Sequence, residues 1–477
     1  MNALLALLAL AISVGVSLFI PGEGPAAVVA CAVLAAPIAV VISRHESHGQ
    51  FLVRVFAAGL ILRMALGTVI HLLGLQEFFG GDALTYDAVG DTLLGHWRYP
   101  LSIADYESML GVFMLRNWGM AYLVAGIYSV TGRNMLAVQF FNAVVGAATA
   151  PVIFLCARHI FRNLRVARLA TLLVAFFPSL VLWSSQGLKD GPIIFLLAVS
   201  MLATLKLGEK LSLKHATVLM LALYGLFTLR FYVFYMAGAA VVGAFLIGMR
   251  EQTTTNMARM VVIVIGMGLA LTYLGVLRGA GAQVEVYGDL EAVQRSRADL
   301  ATSANSGFAQ DVDVSTTAGA LSAIPIGLIY LLFAPFPWQL ANLRQSITLP
   351  EMLIWWSSFP MLVLGGWFTV KYRLRQALPI LIFTSMLTLA YSIFQGNVGT
   401  AYRQRAQLLV FYFIFVSVGI VLIKERRENE RQLREQKRAA ETEAAGRRPR
   451  PSQRPPLPVA AQTSATAHDV LKLRAGG

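Results

Sequence analysis

Eleven apolar runs, near 3–20, 25–43, 51–75, 135–157, 166–184, 190–207, 217–249, 257–277, 351–370, 378–395 and 406–423, occupy most of the chain. Each is near the length of about 20 residues that a helix needs to cross a hydrocarbon core about 30 Å thick. Inside that core an exposed peptide group finds no partner, so spanning segments become helices or closed barrels, and runs of this length exclude barrel strands. The expected fold is an all-α polytopic membrane protein. Composition points the same way: 57% of residues are hydrophobic and 13% charged, where soluble domains carry about 25% charged residues. The first run lacks a positive leading segment and is followed closely by more apolar runs, so it reads as a span rather than a cleaved signal peptide.

The run 217–249 is too long for one simple span, and Arg230 divides it into two that meet at a membrane surface. Two other segments are apolar but interrupted: 109–131 contains Arg116 and Asn117, and 320–338 ends in FAPFPW. Basic loops fix the orientation, because Lys and Arg stay on the cytoplasmic side. Arg158, Arg162, Arg165 and Arg168, then KLGEKLSLKH, MREQTTTNMAR, KYRLR and the C-terminal tail all fall on that side. Ala280–Ala320, with six acidic and two basic residues, fits the other. These assignments agree only if 109–131 and 320–338 lie along or re-enter the outer surface, which leaves about 11–13 transmembrane helices with outer-face loops and juxtamembrane helices.

The chain then divides into a transmembrane domain, 1–423, with outer loops 76–134 and 278–350, and a basic cytoplasmic tail, 424–477. The tail starts as a charged helical segment and turns Pro/Arg-rich, with disorder expected from about residue 440. The net charge of +14 does not imply nucleic acid as a partner. The tail carries 13 basic and 7 acidic residues, and the short cytoplasmic loops supply most of the rest. Membrane lipids are the expected partners of that charge. Cys31 and Cys156 both lie in apolar runs and read as buried small residues. The seven histidines form no zinc pattern, and no phosphate-binding GxxxxGK[ST] loop is present.

The topology gathers four polar segments on the non-cytoplasmic face: the acidic loop after Leu75, WSSQGLKDGP at 183–192, the loop 278–350, and QGNVGTAYRQR at 395–405. In the first, Gly80-Gly81 permits unusual backbone geometry before Asp82. If Asp82 starts a helix, Asp87 and Asp91 share a face with Tyr86 beside them. Carboxylates at a lipid boundary suit a general base for an acceptor hydroxyl, or oxygen ligands for a divalent metal; equally, acids in a loop are often only solvated. Lys189-Asp190 is an ionisable pair between two apolar runs: Lys189 suits a phosphate, while Asp190 pairs with it or caps the next helix. Arg230, Arg403 and Arg405 are further candidates for phosphate, since the guanidinium fork donates paired hydrogen bonds. FAPFPWQL reads as a rigid aromatic element at the interface.

As a set, these segments resemble the C-type glycosyltransferases, the polytopic superfamily that includes bacterial lipid A aminoarabinose transferases and protein O-mannosyltransferases. The resemblance rests on the order of a span followed by GGDALTYDAVGD, then NMLAVQFFNAVVGAATAPVIFLCARHIFRNLRVARLATLLVAFFPSLVLWSS, then LKDGPIIFLLAVSMLATL, covering about 51–207. It implies a polyprenyl phosphate-linked sugar donor, a glycan, lipid or protein acceptor, and a site on the outer face of an integral membrane protein of the bacterial inner-membrane type, while the charge pattern puts both termini on the cytoplasmic side. The family's first-loop carboxylate maps onto Asp82, and its phosphate-binding cations onto Lys189, Arg230, Arg403 or Arg405. The chain departs from members with large soluble C-terminal domains, and it lacks a sharp Asp-Asp or Asp-Glu pair in the first loop. No cofactor is required, although Asp82 with Asp87 has the oxygen ligands for a metal. Two rivals remain at this stage: an O-antigen-type polysaccharide polymerase or ligase using 278–350 as its long outer loop, and a lipid-linked-sugar transporter. Convergence of Asp82, Lys189 and the Arg403/Arg405 pair on one cavity favours the transferase.

Overall fold

The computed structural model describes residues 3–45, 47–99, 119–248, 254–276, 279–281, 283, 288–302, 306–309, 312–340 and 343–446. Among these, regular structure is helical, and the only strand-like pairing is an isolated antiparallel bridge between Gly307 and Asn397. The chain divides into two units, Met1–Ile423 and Lys424–Gly477.

Seven helices are long and apolar enough to cross a membrane, or eight if a bent pair is one span. Every apolar run read from the sequence contains a helix, but several are shorter than expected. Ala3–Phe19, Leu213–Leu229 and Phe231–Ile247 are apolar helices of 17 residues. At 1.5 Å per residue such a helix reaches about 26 Å at most, slightly less than the hydrocarbon thickness. The expected 11–13 spans are therefore seven or eight full-length candidates supplemented by shorter helices. Thr317–Phe333, from the segment expected to lie on the surface, is one of these short helices and packs on Leu374–Phe394. Of 109–131, the part described is the helix Gly119–Thr131, and Arg116 and Asn117 lie outside the described residues.

Met135–Phe161 is the central helix of one half, packed against Gly24–Ser43, Gly49–Leu72, Leu164–Phe176 and Asp190–Glu209. Its core is rich in small residues, with Ala143, Gly146, Ala147 and Ala150 buried. In lipid, association depends on close packing rather than on the expulsion of water, and small side chains allow that closeness. Outward-facing Leu4, Phe19, Val33 and Leu246 are more than 60% exposed, as suits surfaces turned to acyl chains.

Two breaks in the helices position functional residues. Leu164–Phe176 and Pro178–Ser184 meet at 53°. Phe177 is extended (φ −67°, ψ 127°) because a residue before proline avoids the helical region, and Pro178 then opens the next helix, where its missing N–H costs nothing. The second break is at Arg230, extended between Leu213–Leu229 and Phe231–Ile247 (φ −159°, ψ 90°), as its place in the sequence indicates. In the tail, the helix Val398–Gly446 continues past the point near 440 where disorder was expected. Residues 447–477 lie outside the described residues.

Candidate active site

The helix Gly49–Leu72 ends in a tight turn, followed by the short helix Gln76–Gly80 and then Asp82–Arg98. Gly80 has φ +157°, a conformation that L side chains rarely adopt, and a Cβ there would lie 3.6 Å from Arg403 Nη1. Gly81 is ordinary helical backbone (φ −59°), so only the first glycine of the pair is needed for its freedom. This kink starts the next helix at Asp82, facing Arg403.

The segment Trp183–Asp190 is held from behind by groups buried in the apolar runs. Asn142 Nδ2 donates to the carbonyls of Gln186 and Leu188 at 2.5 and 2.6 Å. Arg63, 1% exposed, donates from Nε to Ser184 Oγ at 2.7 Å and from Nη1 to the carbonyls of Ala175 and Gly59. Gly146 lets this segment approach: a Cβ there would lie 2.4 Å from Ser184 Cβ. A buried guanidinium inside a membrane protein has to be satisfied, and here it is satisfied by bracing the turn that carries Lys189 and Asp190.

Arg403, on the last long helix, joins the two parts. Its Nη1 lies 2.8 Å from Asp82 Oδ2, and its Nε and Nη2 lie 2.7 and 2.6 Å from Asp190 Oδ2. Arg230 Nη2 reaches the other Asp190 oxygen at 3.6 Å, an ion pair longer than a hydrogen bond. Asp190 therefore anchors two arginines from inside the first turn of Asp190–Glu209. Tyr86, one turn beyond Asp82, is buried with its ring 6.0 Å beneath Lys189 Nζ. Burial pushes the Tyr86 phenol up, and also pushes the Lys189 ammonium down to about 7, with Arg230 adding to the latter effect. Lys189 is thus a cation whose charge is weakly held near neutral pH.

These residues wall a cavity of about 850 Å³ lined by Asp82, Lys189, Arg230, Arg403 and Arg344. Phe78, Phe79, Leu182, Trp183, Leu343 and Ile347 supply its apolar surface. All four polar segments read from the sequence contribute to it: Asp82, then Trp183 and Lys189, then Ser306, Pro335 and Arg344, then Asn397 to Gln404. Arg344 is an addition that the sequence did not single out. It stacks 5.2 Å from the Phe78 ring and donates to the Glu77 carbonyl at 3.3 Å. Buried Arg230 Nη1 and Trp183 Nε1, both on cavity-lining residues, have no hydrogen-bond partner among the described residues. Unmet donors are costly when buried, and a site that awaits an acceptor is a common reason for them. Four cationic side chains around one accessible carboxylate suit an anionic ligand.

Two of the sequence candidates lie elsewhere. Asp87 is five residues from Asp82, about 140° around the helix. Its oxygens take a 2.6 Å hydrogen bond from Tyr128 and a 2.6 Å ion pair from Arg133, which also reaches Asp91 at 3.1 Å. The shared face of Asp87 and Asp91 thus exists but carries Arg133, while Tyr86 goes with Asp82. Asp82 and Asp87 do not converge on a common metal, and among the described residues no group of three His, Cys, Asp or Glu side chains is arranged to hold one. Arg405 is two positions from Arg403, hence on nearly the opposite side of its helix, and donates to the Leu332 carbonyl at 2.9 Å. Asp87→Asn should lower stability by about 1–2 kcal/mol, the scale of a partly exposed charge-assisted bond. Activity per folded molecule should stay within about threefold; a much larger loss, in membranes assayed beside wild type, would return Asp87 to the reaction.

The geometry thus defines a polytopic helical protein with a cavity walled by four cationic side chains and one accessible carboxylate. Residues 118–275, about a third of the chain, match the family model described as dolichyl-phosphate-mannose-protein mannosyltransferase, which bears out the resemblance to C-type glycosyltransferases over that segment. The matched segment contains Lys189, Asp190 and Arg230; Asp82, Arg344 and Arg403 fall outside it. A solved structure, the archaeal oligosaccharyltransferase AglB from Archaeoglobus fulgidus in complex with an inhibitory peptide and a dolichol-phosphate, is similar at 15% identity and a TM-score of 0.40. The similarity covers 74% of this chain and 47% of that one, so the chain spans about half its length. No curated protein matches the chain.

Proposed function

We propose that this protein is a membrane glycosyltransferase that moves a sugar from a polyprenyl phosphate-linked donor to a cell-envelope acceptor, a glycan, lipid or protein, on the non-cytoplasmic face. The observation that carries this reading is the cavity in which Asp82 stands among Lys189, Arg230, Arg344 and Arg403, with apolar walls suited to the start of a lipid chain. The match of 118–275 to a dolichyl-phosphate-mannose-protein mannosyltransferase model supports it independently.

The reaction is an inverting displacement. The acceptor oxygen attacks the anomeric carbon, the bond from that carbon to the phosphate oxygen breaks, and the hydroxyl proton passes to Asp82. The lipid phosphate leaves with the bonding electron pair. Arg403, Arg230 and Lys189 stabilise its charge, a preorganised electrostatic contribution of the kind that often dominates catalysis. Before the donor arrives, Arg403 Nη1 is occupied by Asp82. A phosphate competes for that guanidinium and releases the carboxylate toward the acceptor, so donor binding prepares the base. Asp82 takes the proton directly in this scheme, and assays of wild type with a panel of divalent ions and with chelator test whether a metal assists.

Asp82, Lys189 and Arg403 line the same cavity, although Arg405 does not, and this favours the transferase over a polymerase or transporter. The direct test is transfer of labelled sugar from a panel of polyprenyl phosphate sugars in membranes, with candidate acceptors supplied. Transfer from at least one donor is expected. Failure with every donor and acceptor would move the reading to the polymerase or the transporter.

The weakly held charge of Lys189 adds a pH signature. Below about pH 7 the ammonium is present and can meet the donor phosphate; above it the amine is neutral. Donor kcat/KM should therefore fall about tenfold between pH 6 and 8, as the charged fraction of such a group falls. Lys189→Arg, which stays charged, should flatten this limb. An unchanged limb in that variant would place the ionisation elsewhere.

A further inference from the structure

At the other end of the helix Gly49–Leu72, about 36 Å from the cavity end by helix rise, four cationic or titratable side chains meet around two aromatic rings. His45 and His48 stack at 5.8 Å, and His48 meets Phe154 edge-on at 5.4 Å. Phe51 packs 6.1 Å from Phe154, and the Arg168 guanidinium lies 5.4 Å from the Phe51 ring. Arg158 acts on His48 through its charge, while one of its Nη atoms turns back to the Arg162 carbonyl.

Among the described residues no carboxylate pairs with His45, His48, Arg158 or Arg168. Glu46 lies outside the described residues. His45 Nδ1 is buried without a hydrogen-bond partner. Beside it, the first turn of Gly49–Leu72 adds the partial positive charge of a helix start, with no acidic side chain in that turn. Among the described residues no anion relieves this crowding, and a guanidinium fork with imidazole donors matches phosphate oxygens.

We propose that His45, His48, Arg158 and Arg168 form a binding site for a phosphate-bearing anion at the membrane face opposite the cavity, occupied by the phosphodiester headgroup of an anionic lipid. The site differs from a diffuse basic surface because two aromatic rings hold His45, His48 and Arg168 in place. His48 titrates below its ordinary value, by burial and then by the charges of His45, Arg168 and Arg158, as expected where cationic groups crowd together.

The test uses the full chain purified in neutral detergent, with thermal unfolding followed as phosphatidylglycerol, phosphatidylcholine or inorganic phosphate is added. Phosphatidylglycerol should raise the midpoint by several degrees more than phosphatidylcholine, as binding to the native state requires. Arg158→Gln/Arg168→Gln should lose at least half of that difference. Arg373→Gln/Arg375→Gln, with the same charge removed at the opposite end of Leu374–Phe394 from its cavity end, should keep it. A shift by millimolar inorganic phosphate as large as that by phosphatidylglycerol would keep the phosphate site and assign it to a soluble anion. No response to either, or equal loss in both double variants, would overturn the site. A photoreactive phosphatidylglycerol on wild type should label the peptide that holds His45 to Phe51, and labelling confined to other peptides would overturn it without any substitution.

Discussion

Asp82→Asn is expected to cut sugar transfer by about 10²–10⁴-fold, the range of a positioned general base, while the protein stays folded. Folding should survive because the Asp82 side chain is 53% exposed and loses one ion pair, to Arg403. A pair that open to solvent contributes at most about 1 kcal/mol. The partition between constants is as informative as the size of the loss. An asparagine leaves the cavity one negative charge poorer and Arg403 freer to meet the donor phosphate. Donor KM should hold or fall, and the loss should appear in kcat, because the missing interaction acts only as the proton leaves the acceptor. A rise in donor KM with kcat retained would make Asp82 a positioning residue for Arg403. Undiminished transfer would remove it from the reaction altogether.

Much of this site was legible because hydropathy determines where helices end, and helix ends determine what shares a membrane face. The breaks at Pro178 and Arg230 follow from local chemistry: a proline disfavours helix in the residue before it, and an arginine cannot be left inside lipid. Four polar segments far apart in the chain therefore arrive at one cavity. The choice of face on Asp82–Arg98 was not legible. Asp82 with Tyr86 and Asp87 with Asp91 have the same spacing, and the residue that decides between them, Arg133, comes from beyond the next helix. Arg405 could have been set aside, since two positions along a helix turn a side chain by about 200°. Arg63 also left a signal, a charge in the middle of an apolar run, and its role in bracing Ser184 emerges only when the helices pack. Arg344 left none: it is a single arginine in a polar segment, and only the fold brings it to the cavity.

Asp190→Asn should produce the largest loss of stability of any single change in the site. The carboxylate is 1% exposed in its side chain and carries the only negative charge in close contact with Arg230 among the described residues, while also binding Arg403 through two nitrogens. An asparagine keeps the shape but leaves two largely buried guanidiniums, with Lys189 nearby, to repel one another. Removing one member of a buried charge pair costs about 3–5 kcal/mol, because the partners stay desolvated without compensation. The cost should appear as a lower unfolding midpoint in detergent at neutral pH. Repulsion rather than a lost hydrogen bond is the cause if adding Arg230→Met to Asp190→Asn restores part of the stability, since that change withdraws one of the unbalanced cations. Strictly additive losses in the double variant would show that Arg230 and Asp190 are not coupled. An anionic donor should stabilise the Asp190→Asn variant more than wild type, because it supplies the charge that the substitution removed. Asp190 and the donor phosphate then act on the same arginines in turn: the carboxylate keeps them folded and aimed at the cavity, and the phosphate takes up the donors that remain.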